Sequence, residues 1–148
     1  MSRNINILLL LLVLLGGPPD VRAEDTLVLI ASSSSPIESV TAIELRKLYL
    51  GFIVTTVDGL QIRPLNNAGD AQIHRIFLQD VMGMSALSYD RRLLTLTLQS
   101  GRPRPSVHEN VDEIINLVSN DDLAISFVWK KDIDSRSDIK ILRVLWRR

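Results

Sequence analysis

The sequence predicts an α/β fold, one small sheet with helices packed against it, and two observations carry that prediction. Short apolar, β-branched runs at 26–31, 123–129 and 139–145 are interleaved with segments whose apolar residues recur at helical spacing. The connections between them are short and show neither a repeat nor a composition break, so one core is expected.

Residues 26–31 (Thr-Leu-Val-Leu-Ile-Ala) read as a buried strand ended by four serines, Ser32 to Ser35, with Pro36 keeping that tract out of an inner strand. Thr41 and Glu44 have the spacing of a capping box. They predict a helix of about three turns that closes on Gly51 in the left-handed conformation. Residues 52–56 are β-branched and apolar, and Asp58-Gly59 supplies a turn or hairpin signal. A strand is expected over 61–65, with Pro64 favouring an edge or a strand end. Residues 66–70 then read as a polar loop. Ile73, Ile76, Phe77, Val81 and Met84 mark the inward face of the next helix.

Ser85 caps a further helix through Tyr89 and Leu93 toward Gly101, although the alternation at 95–98 also fits a strand. Residues 102–105 (Arg-Pro-Arg-Pro) are irregular. Asn110 and Glu113 cap a helix carrying Val111, Ile114, Ile115 and Val118, and Asn120-Asp121-Asp122 stops it. Strands at 123–129 and 139–145 complete the set.

The start of the chain has a different character. Arg3 precedes the apolar run 7–15, followed by Gly16-Gly17-Pro18-Pro19 and Val21-Arg22-Ala23. This is the pattern of a secretory signal peptide over 1–23 with cleavage after Ala23. The run falls well short of the roughly 20 residues of a spanning helix, so no membrane insertion is expected after cleavage. With no cysteine in the chain, a lipid-modified cysteine anchor and structural disulfides are both excluded. The expected mature domain, 24–148, is therefore exported, periplasmic or secreted. Cleavage removes Arg3, Arg22 and Asp20, taking 17 basic and 17 acidic residues to 15 and 16. Such a balance gives no general pull toward nucleic acid.

Ser35-Pro36, Glu44-Leu45, Leu50-Gly51, Asp58-Gly59, Phe77 with Val81, Gly83-Met84-Ser85, Gly101 with Pro105 and the late Leu123-Ala124-Ile125-Ser126-Phe127 follow one another in a familiar order. In that order the chain resembles short single-lobe relatives of the phosphate ABC transporter substrate-binding proteins. The resemblance implies a single compact lobe of the type II periplasmic-binding-protein kind, with a small mixed sheet flanked by helices. It also implies an exported, non-catalytic binding module for phosphate or a similar small oxyanion, with a membrane transporter or sensor protein as partner. Departures from the family pattern fall at positions a ligand could use. His74 stands where relatives carry Arg, and Leu93-Leu94 where they carry a Tyr-Trp pair.

The loop before the helix at 73–82 is the leading candidate site. A helix start offers free N–H groups and partial positive charge, which suit an oxyanion. Asn66, Asn67 and Gly69 are candidate donors there, with His74 and Arg75 one turn on. Asp70 at the same place supports the competing reading of ordinary capping. Ser33 and Ser34 add hydroxyl donors if the cleft position of two-lobed relatives carries over; a solvated loop is the alternative. Arg91-Arg92 and Arg102 with Arg104 form either a cationic patch or ordinary solvated surface.

Two histidines without cysteine do not make a metal site, and no cofactor is implied. No serine stands in a nucleophile-elbow context, which argues against an enzyme. The rival to oxyanion recognition is a periplasmic protein-interaction module whose ligand site is vestigial. Under it, an exposed Trp129 or Trp146, or an apolar surface near Phe52, would anchor the partner.

Overall fold

β1 (Thr26–Ser32) is buried along its whole length, and its side chains divide by the strand's period of two. Leu27, Leu29 and Ala31 enter one core cluster, while Val28 and Ile30 enter another on the opposite face. A strand covered on both sides reads as an unbroken apolar run, which is what the sequence has there. The computed structural model describes residues 25–148; the signal peptide expected over 1–23, with its cleavage site, lies outside them.

The remaining elements are α1 (Ala42–Tyr49), β2 (Arg63–Asn67), α2 (Ala71–Ile76), α3 (Ala86–Ser100), β3 (Ser106–His108), α4 (Val111–Ser119), β4 (Ala124–Trp129) and β5 (Ile139–Arg147). α2 runs on as a π-helix over Phe77–Met82. The sheet order is β3-β2-β4-β1-β5. β2 is parallel to β3 and to β4, whereas β1 is antiparallel to both β4 and β5, so the sheet is mixed as expected. The larger cluster packs α1, α2, the π-helix and α3 on one face, and the smaller packs Ile114, Ile115 and Val118 of α4 on the other.

The capping box at α1 forms as expected: Glu44 N donates to Thr41 Oγ1 at 3.2 Å and Thr41 N to Glu44 Oε2 at 2.8 Å. Gly51 adopts φ 81°, and a Cβ there would lie 2.7 Å from Pro103 O, so both conformation and space require glycine. At the centre of the larger cluster, the Phe77 and Phe127 rings stack at 3.7 Å, with Tyr49 edge-on to Phe77 at 4.7 Å. Burial pushes the Tyr49 hydroxyl well above its ordinary range, which keeps it a donor to Leu65 O at 3.0 Å.

The turn signal at Asp58-Gly59 is met as expected, with Thr55 bridging Gln61 around it and Ile53 and Val57 exposed nearby. The structure differs from expectation at two places and decides between open readings at a third. The expected polar loop at 66–70 begins later, because Asn66 and Asn67 are the last, buried residues of β2. At 95–98, where helix and strand both fitted the sequence, the chain is helical, since Leu93 and Leu96 keep the helical spacing of buried positions. A three-residue strand, β3, follows the irregular prolines because β2 offers it a parallel partner.

Arg63, at the start of β2, forms a two-pronged ion pair with Asp121 just before β4; its Nε donates to Oδ2 at 2.9 Å. The hydrogen bonds from Arg63 hold the Asp121 carboxyl below its ordinary value. A lowered carboxyl pKa contributes stability that is present above about pH 4 and lost as pH falls through the folded value. The Arg63→Ala variant is therefore expected to lose part of the acid dependence of stability below about pH 4, measured by urea unfolding between pH 3 and 6. Phe77→Ala removes the central ring of the stack and is expected to cost about 3–5 kcal/mol in the same assay at neutral pH.

Candidate functional site

The passage from β2 into α2 is built by side chains that reach across the sheet. Asn67 Nδ2 donates to Phe127 O of β4 at 2.9 Å, and Asn67 Oδ1 accepts from Gly69 N at 2.9 Å. Its amide thus makes two bonds inside the protein. Ala68 N donates to His108 O at 2.9 Å, which brings the loop against the entry to α4. A Cβ on Gly69 would sit 2.9 Å from Glu109 O and 3.1 Å from Val111 N, so that approach needs glycine.

Asp70 caps α2. Its Oδ1 accepts from Gln72 N at 2.9 Å and Ile73 N at 3.1 Å, and its Oδ2 accepts from the Trp129 indole at 3.1 Å. Three N–H donors thus converge on one carboxylate, which is the arrangement an oxyanion would need, with the chain's own side chain in that position. The surroundings reinforce this. β2, β3 and β4 end here and α4 starts here, with Asp112 and Glu113 in its first turn. Burial raises the Asp132 carboxyl above its ordinary value; Lys131 opposes that shift, while Asp70 and Asp112 add to it. The immediate edge is carboxylate-rich.

His74 and Arg75 lie one turn into α2, beyond the capped start. They line a groove of about 450 Å3 with Ala71, Leu78, Gln79 and Ser85, between α2 and the start of α3. His74 is half-buried, and its Nδ1 is sealed from solvent with no hydrogen-bond partner. Arg75 is exposed and, among the described residues, has no ion pair within 4 Å. Asn66 is buried, with its Oδ1 likewise unpartnered.

Ser33 and Ser34 are elsewhere. β1 ends where β4 begins, with Ala31 opposite Ile125, and β2 begins at that same end, with Arg63 beside Ala124. Asn67 and Ser33 therefore sit at opposite ends of the sheet, separated by about 15 Å at about 3.3 Å per strand residue. There Ser34 Oγ donates to Asp122 Oδ1 at 2.5 Å and Ser33 N to Asp138 O at 2.9 Å. Asn66, Asn67, Gly69, His74 and Arg75 thus share one segment, which the serine tract does not join.

The indole bond from Trp129 to Asp70 was not foreseen. A Trp closing a buried strand needs an acceptor for its N–H, and that need is the signal that points to such a bond. Trp129 is only 5% exposed and lies 6.1 Å from the Trp146 ring, while Phe52 is half-buried beneath Arg102 at 3.9 Å. Exposed apolar side chains include Ile53, Val57 and Leu60 of the 52–62 loop, Ile43 of α1, and Leu87, Leu94 and Leu98 of α3.

Known structures share this fold. An ABC-type phosphate transport receptor from Vibrio cholerae matches with a TM-score of 0.55 at 16% identity, over 82% of this chain and 46% of that one. A substrate-binding protein of the phosphate ABC transporter class from Clostridium perfringens, solved with bound phosphate, matches at 0.59 and 17% identity, over 82% and 45%. PstS from Borrelia burgdorferi matches at 0.55 and 18%, over 81% and 47%. The chain thus spans slightly under half the length of each, and the likeness is one of fold. No protein-family model matches the sequence, and no curated protein matches it. Among the described residues, no helix is long and apolar enough to cross a membrane.

Asp70→Ala removes a helix cap and strands the Trp129 N–H, and is expected to cost about 2 kcal/mol. Asp70→Asn, which keeps a capping oxygen, should cost less; chemical unfolding of both variants checks the order.

Proposed function

We propose that this chain is an exported, non-catalytic binding module that works in a phosphate transport or sensing setting and recognises phosphate or a similar small oxyanion. One observation supports the reading above the rest. The described chain carries the lobe fold of phosphate-type substrate-binding proteins and, on the helix that follows β2, presents His74 and Arg75 with no carboxylate lining their groove. Because Asp70 already accepts from Gln72 N, Ile73 N and the Trp129 indole, an incoming anion meets these two side chains rather than the capped helix start. Export follows from the N-terminal segment 1–23 read as a signal peptide. A single open lobe buries less of a ligand than a closed cleft, so affinity is modest and a transporter or sensor protein, or a second lobe, supplies the other wall.

A second reading, a protein-interaction module with a vestigial site, draws on that same Asp70 carboxylate. It also draws on the exposed Ile43, Ile53, Val57 and Leu60, which offer a partner apolar surface. Calorimetry of phosphate and sulfate against purified residues 24–148 separates the two. The oxyanion reading expects saturable binding near a millimolar Kd, weakened about tenfold in a His74→Ala, Arg75→Ala double variant. No heat at millimolar phosphate would leave the interaction module in its place.

A further inference from the structure

The groove that holds His74 and Arg75 is larger and more apolar than a bare tetrahedral anion requires. Its volume of about 450 Å3 falls in the range of about 300–1,000 Å3 typical of sites for organic ligands. Its floor and walls include Ala68, Ala71, Leu78 and Ala86. Polar side chains reach it from both flanking elements. His74 and Arg75 sit on successive residues of α2, while Ser85 faces them from the cap of α3, where its hydroxyl is engaged with Ser88 at 3.0 Å. No Asp or Glu is among the lining residues, although Asp70 caps the same helix one turn away. Since Nδ1 of His74 is sealed inside the protein, a groove ligand meets that ring through Nε2.

From this juxtaposition we infer that the groove between α2 and the start of α3 binds an organic oxyanion, a phosphate monoester or phosphonate bearing an apolar substituent. The charged head lies against His74 and Arg75, and the substituent along Ala71, Leu78 and Ala86. This deepens the oxyanion reading and rests on it for the head group alone; the apolar half of the site stands on the groove. Arg75 supplies a charge-assisted, two-pronged contact, and His74 adds a donor to the same oxygens when Nε2 carries a proton. The apolar wall supplies what inorganic phosphate cannot use.

The test is a comparison of phenylphosphonate with inorganic phosphate on the purified protein, by calorimetry and by NMR shifts of the His74 ring and Leu78 methyls. The expected result is phenylphosphonate binding at least about fivefold tighter than phosphate, with Leu78 methyl shifts that phosphate does not produce. Ala71→Leu, a favourable helix residue at an exposed position, should fill the groove and weaken phenylphosphonate more than phosphate, abolishing that preference; Arg75→Gln should weaken both ligands. Equal affinity for the two anions, with Ala71→Leu silent, would overturn the groove and leave phosphate recognition standing. Absence of any His74 shift with either anion would overturn both. Sedimentation with phosphatidylcholine vesicles containing phosphatidic acid, lost in Ala71→Leu, would identify the ester as a lipid headgroup; protein remaining in the supernatant would exclude that source.

Discussion

β2 leaves β4 after only two paired residues, Arg63 beside Ala124 and Pro64 beside Ile125, and the way this divergence is held shapes everything at that end of the sheet. Beyond Pro64 the backbone ladder gives way to side chains. Ser126 Oγ and the Tyr49 hydroxyl both donate to Leu65 O, at 2.9 and 3.0 Å, and Asn67 reaches Phe127 O. Buried carbonyls need donors, and here three residues from three elements supply them. β2 is thereby freed to pair through Leu65, Asn66 and Asn67 with β3, and to deliver Gly69 and Asp70 to the start of α2. Tyr49 also links this junction to the Phe77 and Phe127 stack, so the main core and the β2–α2 passage are mechanically one unit.

On the proposed reading, that unit determines where an anion can be met. Convergent N–H groups from α2 and the Trp129 indole would suit an oxyanion, but Asp70 occupies them, and Asp112 and Asp132 add negative charge nearby. A carboxylate bound by three donors resists displacement by a free anion, because removal leaves those donors unpaired. On the proposed reading, the side chains that meet an anion lie one helical turn further on, at His74 and Arg75. On that reading, the apolar walls of the adjoining groove favour an organic oxyanion.

The fold was largely legible because its signals are local. The capping pair Thr41 and Glu44, the caps Ser85 and Asn110, and the glycine after Leu50 each act within four residues of chain, so they read the same with or without a tertiary structure. The arrangement of the candidate site was legible only in part. His74 and Arg75 remain accessible on a helix at the predicted place, but Asn67 resembles any polar loop residue until β4 is brought alongside it. Ser33 and Ser34 suffered the same ambiguity: their partners Asp138 and Asp122 come from the far end of the chain, and the antiparallel course of β1 carries them away from α2. The π-helix at Phe77–Met82 had no visible cue, since its buried residues also satisfy ordinary helical spacing.

By itself, the sequence determined the α/β class, the order of most helices and strands, the capping residues and the buried character of β1, because periodicity and end-capping are properties of neighbouring residues. Tertiary structure alone decided which polar groups are structural and which are free. Asn67 is tied to Phe127 across 60 positions and Ser34 to Asp122 across 88, while Trp129 and Asp70, 59 positions apart, close the helix start. The physical reason is that a hydrogen-bonding side chain is ambiguous until burial removes water as its partner, and burial depends on contacts between segments far apart in the chain.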